Sequence, residues 1–329
     1  MTHPAPLLSI RNLTISYRTD RGSVSAVEDV SFDIPRGASV GLVGESGSGK
    51  STVALGMMQL LPPNARVTGQ VLFEGTDILR LNERDLNRQW RWRMMSMVFQ
   101  KSLSALSPVH RIGKQMADVL ALHEPRLGDS ATRERLNDVL AAVRLPERVL
   151  RSYPFELSGG MMQRTMIALG LLCTPPFVIF DEATTALDVI TQAQILKEIE
   201  RLKQEFNLTT IVISHDVGVI NAVTDTVVVL YAGQVMEIAP RTEFFARPQH
   251  PYSQALIASV PRLGGEKVRL AGIPGSLPDL ANPPSGCRFA PRCPHATPSC
   301  MTETPPLVEV GPGHLVRCTE FDLRPEVVA

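Results

Sequence analysis

The chain has 329 residues, in which 33 basic side chains balance 33 acidic ones and 44% of the residues are hydrophobic. This balance gives no overall charge that would attract a nucleic acid or an anionic membrane surface. No stretch reaches the roughly 20 apolar residues of a membrane-spanning helix, and the first residues lack the pattern of a secretory signal. We therefore expect a cytosolic chain with a substantial buried core.

The N-terminal part of the chain has the pattern of two half-buried strands followed by a phosphate-binding loop. Residues 7–17 and 24–34 each alternate apolar and polar side chains, as strands do. The short apolar run 39–43 then leads into a glycine-rich loop, and residues 51–61 have a helix-forming composition. The loop consists of Gly44, Glu45, Ser46, Gly47, Ser48, Gly49, Lys50, Ser51 and Thr52. A strand, such a loop and a helix in this order are the context of a Walker A motif.

The chemistry of this loop is specific for a nucleoside triphosphate. Its backbone N–H groups and the following helix dipole would face the phosphates. Lys50 would neutralise the β- and γ-phosphates, and the Ser51 hydroxyl would bind Mg²⁺. The sequence therefore predicts an ATP site with Mg²⁺ as its metal ion.

The middle of the chain predicts an α/β core that is interrupted by helices. Residues 112–123 and 131–143 have helical patterns within a predicted helical insertion at about 101–157. The short apolar runs 177–180, 210–213 and 226–231 suit parallel strands that helices such as 191–206 cover on both faces. We predict a P-loop NTPase core of the RecA-like type, with an antiparallel β subdomain from the first strands and a helical subdomain.

A second phosphate cradle follows the helical insertion. It consists of Ser158, Gly159, Gly160 and Met161. One domain needs one loop for its own nucleotide, so the second cradle is predicted to serve a nucleotide held by another subunit. Asp181 and Glu182 end the next apolar strand, where one carboxylate can hold the Mg²⁺ shell and its neighbour can accept a proton from the attacking water.

Residues 261–329 differ from the rest, since they carry twelve of the 26 prolines and four of the five cysteines. Such a tail requires a crosslink, such as a bound metal, or a partner surface to fold. Its cysteines are Cys287, Cys293, Cys300 and Cys318, spaced C-x5-C-x6-C-x17-C. Four thiolates can hold zinc or an iron–sulfur cluster, and the spacing leaves both open, together with four reduced thiols without metal. Cys173 stands apart and is predicted to be a small core residue.

In combination, the motifs of residues 7 to about 260 resemble an ABC-type ATPase. The residues that carry the resemblance beyond the Walker A loop are Ser158, Gly159, Gly160, Gln163, Arg164, Asp181, Glu182, Leu187, Asp188, Ser214, His215 and Asp216. The resemblance implies that Tyr17 stacks on adenine and that Gln100 contacts Mg²⁺ and the attacking water. It implies that Asp188 shapes a dimer seam and that His215 contacts the γ-phosphate as a switch. The cradle at Ser158 would grip the γ-phosphate of ATP held by the partner subunit.

Three further segments are similar to the oligopeptide, dipeptide and nickel importers, namely residues 99–109, 250–252 and 286–318. This resemblance implies a [4Fe–4S] cluster on the four cysteines. It also implies two transmembrane permease subunits, a second related ATP-binding subunit and an extracytoplasmic solute-binding protein as partners. The chain is then expected at the cytoplasmic face of the inner or plasma membrane, energising the import of short peptides or a small solute such as nickel.

The domain boundaries that follow are an ATP-binding domain at 1–260 and a C-terminal extension at 261–329. Two other functions remain open at this stage. One is an ABC ATPase that acts on DNA, although the segment between Gln100 and Leu157 lacks the heptads of a coiled coil. The other is a regulatory subunit that binds nucleotide without hydrolysis, against which Glu182 and His215 argue.

Overall fold

A computed structural model describes residues 5–20, 22–99, 105–185, 187–259 and 272–320. Two compact units are present, one from residues 1–79 with 213–329 and the other from residues 80–212. The strands are β1 Leu8–Thr19, β2 Gly22–Ile34, β3 Ser39–Val43, β4 Ala65–Phe73, β5 Thr76–Asp77, β6 Met95–Val98, β7 Phe177–Asp181, β8 Thr209–Ser214, β9 Thr226–Tyr231, β10 Gln234–Pro240, β11 Val308–Gly311 and β12 His314–Val316.

The α-helices are distributed over both units. They are α1 Lys50–Met57, α2 Glu83–Asp85, α3 Ile112–His123, α4 Asp129–Ala142, α5 Gly159–Leu171, α6 Val189–Phe206, α7 Val217–Val223, α8 Arg241–Ala246, α9 Pro251–Ala258 and α10 Pro298–Thr302. Within the described ranges, none of the helices combines the length and the apolar character that crossing a membrane requires.

The first unit contains the predicted antiparallel β subdomain. Its strands lie in the order β2-β1-β4-β5, and β1 pairs antiparallel with both β2 and β4. The alternation in β1 buries Leu8, Ile10, Leu13 and Ile15 completely, because successive side chains of a strand point to opposite faces.

A second sheet of this unit carries the phosphate loop. Here β3 runs parallel to β9, and β9 pairs antiparallel with β10. All five residues of β3 are buried, as expected for a strand that is covered on both faces. The loop that leaves β3 at Gly44 is therefore anchored to a rigid central strand.

The C-terminal extension folds onto the same sheet. Its β12 pairs antiparallel with β10 and with β11. Phe289 and Val316 of the extension are almost fully buried. The predicted need for a partner surface is met within this unit, because the extension adds strands to an existing sheet instead of building a separate core.

The second unit combines parallel strands with the predicted helical region. β6 runs parallel to β7, and β8 lies on the other side of β7. Helices α3 and α4 match the predicted helices within two residues at each end. Along α6, Ile195, Ile199 and Leu202 are buried, as its pattern predicted.

One element boundary differs from its prediction. The helix expected at 51–61 ends at Met57, although its composition favours helix for longer. Gln59 has a φ of 50°, which no helix accommodates, and its side-chain amide donates a hydrogen bond to the carbonyl of Ile78. The helix therefore ends in a left-handed turn at Gln59, where the N–H of Leu60 donates to the carbonyl of Leu55.

Candidate functional site

The phosphate loop joins β3 to α1 and is shaped by three glycines with positive φ. Gly44, Gly47 and Gly49 have φ values of 155°, 82° and 101°. At Gly44, a Cβ atom would lie 2.1 Å from the carbonyl oxygen of Leu230, and at Gly49 it would lie 2.7 Å from that of Ala26. The loop thus approaches neighbouring backbone too closely for any side chain at these two positions.

Lys50 begins α1 and folds its side chain back over the loop. Its Nζ donates to the carbonyl oxygens of Gly44 and Glu45, each at 2.8 Å, and lies 3.4 Å from the Ser48 hydroxyl. The side chain is 5% exposed. A buried ammonium group is thereby held by oxygen atoms at the place where the motif requires a cation for phosphate.

The remaining polar side chains of the loop differ in exposure. Ser46 and Ser51 are exposed, Glu45 and Thr52 are half-buried and Ser48 is buried. The buried Ser48 accepts a hydrogen bond through its carbonyl oxygen from the backbone N–H of Gly233, which fastens the loop to the turn between β9 and β10.

The second phosphate cradle lies at the start of α5 in the other unit. Ser158 is the N-cap residue, and its hydroxyl accepts a hydrogen bond from the Met161 backbone N–H at 3.3 Å. Ser158 and Gly159 are exposed, while Gly160 and Met161 are half-buried. The first backbone N–H groups of a thirteen-residue helix thus reach the surface at a glycine-rich position, where anions bind favourably.

This cradle forms one open groove with the segment around Asp188. The groove is lined by Ser158, Gly159, Gly160, Met161, Arg164, Leu187, Asp188, Thr191 and Gln194. A Cβ atom at Gly160 would lie 3.0 Å from the Thr191 methyl group, so a larger side chain would fill the groove. Arg164 and Gln194 also line the groove, and no sequence motif predicts the contribution of Gln194.

Asp188 caps the N-terminus of α6. One carboxylate oxygen accepts hydrogen bonds from the N–H groups of Ile190 at 3.0 Å and Thr191 at 2.9 Å, and the other accepts from the Thr191 hydroxyl at 2.6 Å. The pKa of Asp188 is lowered most by the hydrogen bond from the Thr191 hydroxyl and next by the hydrogen bond from the Thr191 N–H. The side chain remains ionised and holds the segment that borders the groove.

Asp181 and Glu182 stand at the carboxyl end of β7, as predicted. Asp181 is 7% exposed, whereas Glu182 is half-buried. Glu182 has a φ of 48°, a conformation that is strained for a residue other than glycine. Its carboxylate accepts a hydrogen bond from the Thr185 hydroxyl at 3.2 Å.

Tyr17 and His215 lie in the unit of the phosphate loop. Tyr17 is half-buried on β1, where it pairs with Val24 of β2 and Ala65 of β4. His215 is exposed and directly follows β8. Gln100 lies outside the described residues, so its predicted contacts with Mg²⁺ and water stay a prediction.

The four cysteines of the extension line one cavity. Cys287, Cys293, Cys300 and Cys318 share it with residues that include His250, Phe289 and His295. Cys287 and Cys300 are buried, and the other two are partly exposed. The Thr297 hydroxyl lies 3.2 Å from the sulfur of Cys300.

Burial dominates the acidity of these thiols. It raises the pKa of Cys287, and it raises the pKa of Cys293 to about 11. The backbone N–H groups of Phe289 and Ala290 act against this at Cys287, since they hydrogen-bond its sulfur. Among the described His, Cys, Asp and Glu side chains, no group of three or more has the spacing of a metal-binding site. The iron–sulfur cluster and its zinc alternative therefore stay predictions.

The fifth cysteine, Cys173, is buried, as expected for a core residue, and burial raises its pKa to about 11.

Two contacts to the phosphate loop, one from Tyr252 and one from Arg292, were not predicted from the sequence. The Tyr252 hydroxyl accepts a hydrogen bond from the Glu45 backbone N–H at 2.8 Å. Arg292 binds the Glu45 carboxylate with two nitrogens. More than 200 residues separate each contact from the loop, so no local pattern could have found them.

Family models match two parts of the chain. Residues 27–185 match the model described as ABC transporter, and residues 236–300 match the C-terminal region of oligopeptide/dipeptide transporters. The chain is 45% identical over 314 residues to the oligopeptide transport ATP-binding protein OppD of Salmonella typhimurium, covering 95% of this chain and 93% of the relative. It is 41% identical over 324 residues to the dipeptide transport ATP-binding protein DppD of Bacillus subtilis, covering 97% and 96%.

Solved structures with the same fold are ABC cassettes. The dimeric structure of MJ0796, described as a bacterial ABC transporter cassette, is 27% identical with a TM-score of 0.64 and covers 71% of this chain and 98% of that one. A post-hydrolysis dimer of the same cassette, bound to ADP and Pi, matches equally well. These matches confirm the predicted P-loop NTPase fold and ATP hydrolase activity. The chain belongs to the family of ABC-transporter ATP-binding subunits of the oligopeptide and dipeptide type.

Proposed function

We propose that this chain binds and hydrolyses ATP to energise the import of short peptides across a membrane. Its relatives from Salmonella typhimurium and Bacillus subtilis are named for oligopeptide and dipeptide transport. The match of residues 236–300 to the oligopeptide/dipeptide transporter C-terminal region supports the same substrate class. The alternative of an ABC ATPase that acts on DNA is not favoured, since these relatives are transport proteins.

One observation carries the mechanism: the chain has two phosphate cradles of different design. The loop at Lys50 holds a buried cation, whereas the groove at Ser158 presents helix N–H groups at the surface. A triphosphate bound at Lys50 would use the first cradle, and the groove would serve the γ-phosphate of ATP held by a second ATP-binding subunit. Two subunits then close face to face when ATP is bound.

The proposed ATP contacts follow from the placement of the loop residues. Lys50 would exchange its backbone oxygen partners for β- and γ-phosphate oxygens, and the N–H groups of residues 44–52 would hold the phosphates. Tyr17 would stack on the adenine. Mg²⁺ would be held by Ser51, Gln100 and Asp181, and when bound it neutralises charge on the β- and γ-phosphate oxygens.

Hydrolysis is assigned to Glu182 with His215 and Gln100. Glu182 accepts the proton of the attacking water, while Gln100 orients that water and His215 contacts the γ-phosphate. The position of Glu182 supports this role, because it directly follows the buried Asp181 at the carboxyl end of β7. Loss of the γ-phosphate removes the group that both subunits grip, and the dimer opens.

The subunit has to act with other proteins. We propose two transmembrane permease subunits, an extracytoplasmic solute-binding protein and a second, related ATP-binding subunit, with this chain at the cytoplasmic face of the membrane. The similarity to the dimeric cassette supports the pairing of ATP-binding subunits. Work is transmitted only because ATP binds the closed dimer better than the open one.

For the extension we propose a [4Fe–4S] cluster on the four cysteines. The convergence of all four on one cavity supports it. When bound, the cluster supplies a covalent crosslink between distant parts of the extension.

Anaerobically purified protein should contain about four iron atoms per chain and absorb visible light. Cys293→Ser should lose both signals and Cys173→Ser should keep them. Iron-free wild-type protein would rule the cluster out, and stoichiometric zinc would establish the alternative.

The assignment of Glu182 is tested with the isosteric Glu182→Gln variant. We expect ATP binding to persist and hydrolysis to fall by a factor of about 10² to 10⁴, because only the proton acceptor is lost. Equilibrium ATP binding and single-turnover hydrolysis measure the two quantities. Glu200→Gln, a change at a half-buried glutamate of α6, is the matched control. Normal turnover in Glu182→Gln would refute the general-base role and would leave the purely regulatory function as the better account.

A further inference from the structure

Arg292 of the C-terminal extension forms a two-point ion pair with Glu45 of the phosphate loop. Nη1 lies 2.7 Å from one carboxylate oxygen of Glu45, and Nη2 lies 3.0 Å from the other. The Arg292 side chain is 6% exposed and that of Glu45 is 27% exposed. Parallel bonds of this kind combine charge attraction with a fixed geometry.

All five N–H donors of Arg292 have partners in this structure. Besides the two bonds to Glu45, Nη1 lies 3.2 Å from the Tyr231 hydroxyl. Nη2 also donates to the carbonyl of Ile273 at 3.1 Å, and Nε donates to that of Pro274 at 2.7 Å. Since a guanidinium has five donors, its orientation is fully determined. The carboxylate of Glu45 is therefore held in one place.

Glu45 passes this constraint to the rest of the loop. Its backbone N–H donates to the Tyr252 hydroxyl, and its carbonyl oxygen accepts from Lys50 Nζ at 2.8 Å. Tyr252 is itself fixed by edge-on packing against Tyr231, with ring centroids 4.6 Å apart. Leu277 of the extension approaches to 3.5 Å from the position a Cβ would take at Gly47. The extension thus contacts the loop through the charged side chain of Arg292 and the apolar side chain of Leu277.

The charge of Glu45 creates a problem that Arg292 solves. A carboxylate in a loop that receives a triphosphate repels that ligand, and the repulsion grows where water is partly excluded. The paired guanidinium offsets this charge at hydrogen-bond distance. Tyr231, Tyr252 and Lys50 also face the pair, and Lys50 is oriented towards the loop carbonyls instead of the Glu45 carboxylate.

We propose that Arg292 is a positioning residue for ATP binding: it fixes Glu45 within the phosphate loop and cancels its negative charge, so that the C-terminal extension sets the affinity of the subunit for ATP. The inference rests on the proposed ATP site at Lys50. It assigns to the extension a direct role in the nucleotide cycle, independent of what the four cysteines bind.

The test compares four full-length variants by equilibrium binding of Mg-ATP and by KM and kcat for hydrolysis. Arg292→Ala should weaken ATP binding about tenfold and raise KM by a similar factor, with a smaller change in kcat. Adding Glu45→Gln to Arg292→Ala should restore most of the affinity, because the repelling charge is gone. Arg292→Lys should lie between the wild type and Arg292→Ala. Arg36→Ala, which removes an exposed ion pair with Glu74, is the matched control and should bind ATP normally.

Rescue by Glu45→Gln distinguishes charge cancellation from a merely structural role of Arg292. If Arg292→Ala damaged the structure of the loop, Glu45→Gln would not repair that damage. An unchanged ATP affinity in Arg292→Ala, or a double variant as weak as the single one, would overturn the proposal. If Arg292→Ala fails to fold, Arg292→Gln gives the same comparison, since it keeps hydrogen-bond donors and loses the charge. Lys50→Ala tells the two failures apart: if it binds ATP normally, the proposed ATP site itself is wrong.

Discussion

The phosphate loop at residues 44–52 and the groove at Ser158 are both rich in glycine, but the surrounding structure holds them in different ways. The conformation of the loop at residues 44–52 is set by positive-φ glycines and by the buried Lys50. Tyr252 and Arg292 hold it further through hydrogen bonds to Glu45. The groove at Ser158 is held by two helix caps, Ser158 and Asp188, and its surface is open. In the proposed function the loop holds the nucleotide of this chain and is preorganised, whereas the groove receives the nucleotide of a second subunit and stays accessible.

The largest expected effect separates the two cradles. Lys50→Ala should weaken ATP binding to the single chain by about a hundredfold, or roughly 2.7 kcal/mol, because the cation of the loop is lost. Gly160→Val should leave that binding within about twofold, since it fills the groove near Thr191 and leaves the loop intact. Both are measured by equilibrium ATP binding. A strong loss of binding in Gly160→Val would mean that the groove contributes to the chain's own nucleotide.

A second prediction concerns the anchoring of the extension to β10. His314 Nε2 lies 2.7 Å from a carboxylate oxygen of Glu237, which is fully buried and also accepts hydrogen bonds from the N–H groups of Gln249 and His250. His314→Ala should destabilise the protein by about 2 kcal/mol, because a buried carboxylate loses a hydrogen-bond partner. Chemical denaturation measures the loss.

The matched control for this change is His314→Gln, whose amide can still donate to Glu237. It should retain at least half of the lost stability. Equal stability of His314→Ala and the wild type would show that the extension is held by its strand pairing alone.

The smallest expected effect sharpens the account of the groove. The pKa of Asp188 is lower in the folded protein than its ordinary value of 3.8. Its contribution to stability is therefore complete above that value and is lost as the pH falls through the lower, folded pKa. Between pH 5 and 2 the wild type should lose more stability than Asp188→Asn, which keeps the helix cap and has no charge to titrate. Urea midpoints at successive pH values measure this, and parallel losses in both proteins would contradict it.

The sequence predicted local features far better than tertiary ones. The strands β1 and β2, the phosphate loop and the acidic end of β7 follow from alternation, glycines and apolar runs, because these depend on neighbours in the chain. The end of α1 at Met57 did not follow, since it depends on a left-handed backbone at Gln59 that helix-forming composition does not reveal. The roles of Tyr252, Arg292 and His314 were also missed, because their partners are remote in the sequence.

The central claim is that each ATP is completed by two polypeptides, and it is tested most directly by the mass of Glu182→Gln in solution. With Mg-ATP this variant, alone or mixed with the second ATP-binding subunit, should sediment as a dimer, and with ADP as single chains. Adding Ser158→Arg should abolish the ATP-dependent dimer. The account would be contradicted if Glu182→Gln sedimented as single chains with Mg-ATP in both preparations, or if Ser158→Arg left the ATP-dependent dimer intact.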